Sequence, residues 1–181
     1  MPLRAAQCIF GKGDTGMARE LDALDVAILA ALRDSPRAGY LELSRTLSVS
    51  RATVQARLER LEQDGVVSGY GPDVELPQAG YPVLAFATLE IAQGRLDEVT
   101  ESMRAIPSVV EAFATTGPGD VFCRLAATSH EDLQRVLIEV SQIPGVARST
   151  SVVALSRVVA PRPIELLQSA DLRPATRTGT R

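Results

Sequence analysis

The sequence predicts an α+β chain in two parts, a set of short helices followed by a β-α-β unit that occurs twice. Two observations carry this prediction. Residues from about 20 to 65 hold apolar side chains at helical spacing, interrupted at turn residues. Farther on, Leu96, Val99, Met103, Ile106, Pro107 and Val109 recur 37 residues later as Leu133, Val136, Val140, Ile143, Pro144 and Val146. Chance readily matches two or three of six such positions, but not all six in register.

In the first part, residues 1–19 lack periodicity and hold Gly11, Gly13 and Gly16, so a flexible leader is expected there. The next segment, 20–65, reads as three helices. Asp22 suits an N-cap, with Asp25 three residues on favouring the positive helix end. Leu21, Leu24, Ile28 and Leu32 follow helical spacing until Ser35-Pro36 stops the run. A second helix is expected from Tyr40 to Leu47, with Leu43 and Leu47 on its buried side. Ser50 then caps a third helix whose stripe is Val54, Leu58 and Leu61, and Gly65 ends it. Two helices joined by so short a turn form a DNA-reading motif when the second presents polar residues outward. A linker strand is expected over 66–81.

The second part spans 82–160. Strand-like runs, Val83 to Ile91 and Val121 to Ala127, precede each copy of the repeat, and Thr128 with Glu131 resembles a capping box. The order is β-α-β, a loop at Gly117-Pro118-Gly119, then β-α-β, which is a ferredoxin-like βαββαβ domain. Val152, Ala154, Val83 and Ala85 lie in strands with apolar residues on both sides. A sheet with helices on one face and an apolar second face packs economically on a copy of itself, so a homodimer is expected. The stretch 161–181, with Pro161, Pro163 and Pro174, reads as a disordered tail in which Ile164, Leu166 and Leu167 form at most a short anchoring turn.

Composition narrows the function. The 181 residues are 45% hydrophobic with a net charge of −3, ordinary for a globular protein and acidic for a nucleic-acid binder. Phosphate binding needs a local cationic face, however, not a basic total. No apolar run is long enough to span a bilayer, and the patch at Cys8, Ile9 and Phe10 is too short for a signal peptide, so a cytoplasmic protein with no membrane partner is expected. Cys8 and Cys123 are isolated and read as plain thiols, without zinc spacing. His130 is the only histidine. With no Ser/His/Asp set and no phosphate-cradling loop, neither enzymatic activity nor a cofactor is expected.

On the third helix, Arg51 near the N-terminal end is the candidate for base-edge contact, with Thr53 and Gln55 for bases or nearby backbone and Ser50 at the same end. Arg57 and Arg60 are candidates for phosphate contact, and Tyr40, Ser44 and Arg45 for the backbone from the second helix. Ser48 occupies the turn, where many such motifs have Gly to allow a positive φ. The loop Thr116, Gly117, Pro118, Gly119, Asp120 joins two central strands. Its glycines let backbone N–H groups turn towards a carboxylate, and Asp120 suits an ammonium group, chemistry that fits a zwitterionic amino acid. The alternative is a tight hairpin turn capped by Asp120.

"LDALDVAIL", "LSVSRATVQARLERLEQDGVVSGY", "LPQAGYPVLAFATLEI" and "TTGPGDVFCRL", in that order, resemble the Lrp/AsnC (feast/famine) regulators over residues 21–159. The resemblance implies a winged helix-turn-helix followed by a RAM-type effector domain. It further implies double-stranded DNA as partner and dimers that assemble into tetramers or octamers. A small-molecule effector, an amino acid, would be held between subunits at the 116–120 loop, with Ser149, Thr150 and Ser151 supplying hydroxyls across the interface. Many relatives carry an acidic residue and an aromatic where Pro118 and Gly119 stand. Two rival functions are a ligand-binding or oligomerisation module with degenerate DNA binding, and a decarboxylase-like enzyme of the same architecture.

Overall fold

The computed structural model describes residues 20–172. The expected leader, with Cys8, and the end of the tail from 173 onward lie outside the described residues. The chain forms two compact units, residues 20–71 with 161–172, and residues 72–160.

The first unit holds α1 (Ala23–Asp34), α2 (Tyr40–Thr46) and α3 (Arg51–Gln63). Asp22 is the N-cap of α1 and forms a full capping box with Asp25: each side chain accepts the other's backbone N–H. Ile28, Leu43, Val54 and Leu58 make the core cluster, with Leu24, Leu32 and Leu47 packed around it. Val26 and Leu29, outside the predicted stripe, are buried as well. In the turn between α2 and α3, Ser48 adopts φ +54°, the left-handed region that costs an L side chain about 1–2 kcal/mol. Gly65 follows α3 at φ +71°, as its glycine implies.

The expected linker strand over 66–81 does not form. Residues 66–81 are irregular, with a turn in which Tyr81 N–H donates to the Leu76 carbonyl at 2.9 Å. Pro72, Pro77 and Pro82 lack the N–H that a ladder requires, and among the described residues no strand of the first unit lies alongside to pair with.

The second unit runs β1 (Val83–Ile91), α4 (Leu96–Arg104), β2 (Val109–Ala114), β3 (Val121–Ala127), α5 (His130–Ser141) and β4 (Val146–Val153). The strands form one antiparallel sheet in the order β2-β3-β1-β4, the ferredoxin-like arrangement. The repeated apolar residues do the same work in both copies: Val99, Met103 and Ile106 pack with Leu133, Val136, Val140 and Ile143 against β1 and β3. The cap of α5 lies one residue beyond the expected pair. Ser129 accepts the Asp132 N–H, and Asp132 accepts from both the N–H and the hydroxyl of Thr128.

Val83 and Ala85 face the helices. The register places Leu84, Phe86 and Thr88 of β1 on the open face, beside Phe122 and Arg124 of β3, Phe113 of β2, and Thr150 and Val152 of β4. Phe86 and Phe122 stack there at 5.5 Å, and Val152 is 61% exposed. The apolar second face exists, built from the alternate residues.

The expected disordered tail is also partly ordered. Pro163–Gln168 forms α6, which belongs to the first unit and packs on α1, with Ile164 and Leu167 half-buried and Leu166 exposed. Proline is well placed in the opening turn of such a helix, where its missing N–H has no intrahelical partner to lose.

Candidate nucleic-acid interface and effector loop

Val54, Leu58 and Leu61 turn one side of α3 into the core and leave Arg51, Ala52, Gln55, Ala56 and Arg60 exposed. The helix begins sharply because the Ser50 hydroxyl accepts the Thr53 N–H at 3.0 Å, while the Ser50 and Thr53 hydroxyls lie 2.8 Å apart. Ser50 therefore acts first as the cap, and Thr53 is half-buried beside it. The Gln55 side-chain amide donates to Glu59 one turn on, across the outer face. Ala52 and Ala56 keep that face shallow, so the helix axis can approach a groove floor. Arg45 is exposed in the last turn of α2.

Three further candidates of this set are less exposed. Ser44 is buried and its hydroxyl donates to the Leu41 carbonyl at 2.8 Å, which suits the close helix crossing. Tyr40 is half-buried against the core and lines a cleft of about 360 Å³ with Leu43, Leu58 and Tyr70. Arg57 is turned inward, its Nη1 at 2.6 Å from Asp22 and 3.0 Å from Asp25. The expected phosphate contact thus has an ion pair within the unit competing for its Nη1. Burial pushes the Asp22 carboxyl up, but the Asp25 N–H and the Arg57 guanidinium outweigh it and hold the group below the usual range. Sequence reasoning missed this pair, although Asp25, a charged residue among the apolar positions of α1, was its one visible signal.

In the second unit, the loop of Thr116, Gly117, Pro118, Gly119 and Asp120 is fastened to β1. Asp120 N–H donates to the Leu89 carbonyl at 2.8 Å, and the Asp120 carboxylate accepts the Ile91 N–H at 2.6 Å. That N–H sits where the β1–β4 register shifts between Glu90 and Ile91, so Asp120 braces an irregularity in β1. Gly119 is buried, and a Cβ there would stand 2.2 Å from Thr88 Cγ2. Gly117 has φ +121°. The Asp120 carboxylate thus already serves the backbone of β1 and does not cap its own turn. Ser149, Thr150 and Ser151 are exposed on edge strand β4, opposite Leu89, Thr88 and Ala87. Strand alternation divides them: Thr150 shares the open face with Thr88, whereas Ser149 and Ser151 lie on the helix side.

Comparison with known proteins decides what these two units are. A family model described as winged helix-turn-helix DNA-binding matches residues 21–68, and the Lrp/AsnC ligand binding domain matches residues 84–164. The regulatory protein AsnC of Escherichia coli is 32% identical over 131 residues, covering 72% of this chain and 86% of its own. The chain belongs to the Lrp/AsnC family. Its fold follows E. coli AsnC with a TM-score of 0.75 at 28% identity, over 81% of this chain and 99% of that one. A transcriptional regulator of Neisseria meningitidis, solved as its complex with L-Met, superposes with a TM-score of 0.72 at 26% identity, with the same coverage. An uncharacterised HTH-type transcriptional regulator of Pyrococcus abyssi is 31% identical over 140 residues, 77% of this chain and 88% of its own. As an Lrp/AsnC member, this protein is a DNA-binding transcriptional regulator whose second unit is a ligand-binding domain.

Other candidate chemistry in this Lrp/AsnC chain is quiet. Cys123 is buried, and burial pushes its thiol up to about 11. His130 is the exposed first residue of α5. Among the described residues no cluster of metal-ligating side chains occurs, and no helix is long and apolar enough to cross a membrane.

Proposed function

We propose that this regulator reads duplex DNA with the N-terminal half of α3, Arg51 contacting a base edge and Thr53 and Gln55 supporting it, while Arg45 and Arg60 hold phosphates. The observation that carries this is the exposed, shallow face of Arg51, Ala52, Gln55, Ala56 and Arg60, opposite a stripe buried in the core. A bidentate arginine–guanine contact is worth about 1–3 kcal/mol of discrimination. Arg51→Ala is therefore expected to weaken binding to a selected operator more than binding to unrelated duplex. Arg60→Ala is expected to weaken all duplexes alike and to make the salt dependence shallower by about 1. Unaltered operator affinity in Arg51→Ala defeats the assignment.

The effector of the second unit is, in this proposal, an amino acid bound at the loop end of the sheet. The chemistry favouring it is the turn at Gly117, with Thr116 and Thr150 supplying polar groups. The L-Met complex of the Neisseria relative supports that ligand class. Calorimetry with the common amino acids tests it, and no heat from any of them rejects it. The regulator acts as a homodimer through the face of Phe86, Phe113, Phe122 and Val152, since so exposed an aromatic surface gains most from a second copy. A monomer in sedimentation at micromolar concentration would exclude this. The protein works in the cytoplasm and has no catalytic role.

A further inference from the structure

Of the three arginines on α3, Arg51 and Arg60 are exposed and Arg57 is drawn inward. Its two partners are also the two members of the α1 capping box, and each carboxylate divides its oxygens between the tasks. Asp22 Oδ1 accepts the Asp25 N–H and its Oδ2 accepts from Arg57. Asp25 Oδ2 accepts the Asp22 N–H and its Oδ1 accepts from Arg57. Both contacts end on the same nitrogen, Nη1. Asp25 has a side chain only 1% exposed, and Arg57 and Asp22 stand at 15% and 16%. The surplus negative charge of the trio lies at the N-terminal end of α1, where the helix dipole favours it.

The consequence for α3 is directional. Val54 and Leu58 hold the helix by apolar contact, which tolerates small rotations about the helix axis. Charged hydrogen bonds do not, because they weaken steeply as distance and angle depart from their optimum. A rotation of about 10° moves a group roughly 6 Å from the axis by about 1 Å, enough to disturb a bidentate base contact. We propose that Arg57 is a positioning residue for base reading: gripped by Asp22 and Asp25, it sets the rotation of α3 and so governs sequence specificity without touching DNA. This rests on α3 being the element that reads DNA.

The test uses the full chain, an operator selected by the parent from a random duplex library, and an unrelated duplex. Arg57→Gln and Arg57→Lys are titrated against both across a salt series, at a temperature where circular dichroism shows each variant folded. Arg57→Gln is expected to lose about ten-fold or more in the ratio of specific to non-specific affinity with its salt slope unchanged, and Arg57→Lys to recover most of that loss. Asp22→Asn covers the case in which Arg57→Gln does not fold. It should lower the ratio in the same direction, whereas a phosphate-binding Arg57 released from Asp22 would tighten binding to every duplex. A salt slope shallower by about 1 with equal loss on both duplexes overturns the proposal, and so does an unchanged ratio in a folded variant of lowered Tm. A parent chain that selects no duplex at all overturns the DNA-reading premise itself, and is seen before any variant is made.

Discussion

In the ferredoxin-like unit, fifteen buried side chains from the sheet, its two helices and the turns after them form one cluster, and the ion pairs described there lie outside it. The helix-turn-helix rests on a smaller apolar cluster among the described residues, centred on Ile28, Leu43, Val54 and Leu58 with Val26, Leu29 and Leu61 also buried, and adds the partly desolvated tie of Arg57 to Asp22 and Asp25. Apolar burial is strong and indifferent to direction, which suits a domain that has to hold a sheet. A charged, hydrogen-bonded tie contributes less reliably to stability but has a preferred geometry, which suits a helix that has to be aimed.

The largest effect that bears on this contrast is expected in the larger core. Leu125 is fully buried, and Leu125→Ala should cost about 2–5 kcal/mol by urea unfolding. A cost below about 1 kcal/mol would mean that the sheet core is not the dominant source of stability. Next comes Gly119→Ala, whose new Cβ would stand 2.2 Å from Thr88 Cγ2. The clash should cost about 1–3 kcal/mol in the same assay unless the loop shifts off β1.

Acid should separate the units more gently. The Asp22 carboxyl is held below its ordinary 3.8 in the folded chain, so its contribution is complete above that value and is lost as pH falls through the folded one. Asp22→Asn should flatten the acid limb of the stability curve measured below pH 4, and an unchanged limb would show that the tie carries little. The smallest change expected is a gain. Ser48→Gly relieves the left-handed strain of about 1–2 kcal/mol, less the extra freedom of glycine in the unfolded chain, about 0.5–1 kcal/mol. A rise in Tm is expected, and a fall would mean that the Ser48 side chain makes a compensating contact.

Periodicity and end signals made most of the fold legible. Asp22 and Ser50 cap the helices that their positions announce, Gly65 ends α3, and the 37-residue repeat lays out both halves of the sheet domain. The misses share a cause, because each depends on what lies across from a residue in space. Whether Arg57 points outward is decided by how α3 crosses α1, and helical spacing leaves it at the edge of the stripe. Ser44 was legible as the small residue of a close crossing, and that same closeness removes it from solvent. Thr128-Ser129 and Glu131-Asp132 are adjacent pairs of similar type, so the cap could shift by one without changing the pattern. The loop at Gly117 and Gly119 showed its turn chemistry plainly, but not that Asp120 is needed by the Ile91 N–H 29 residues away.

The return of the chain through α6 changes what counts as a domain here. The polypeptide leaves the first unit after Gly71 and re-enters it at Pro161, so the ligand-binding unit is topologically an insertion within the DNA-binding one. A fragment stopped at Gly71 would leave bare the flank of α1 on which α6 packs.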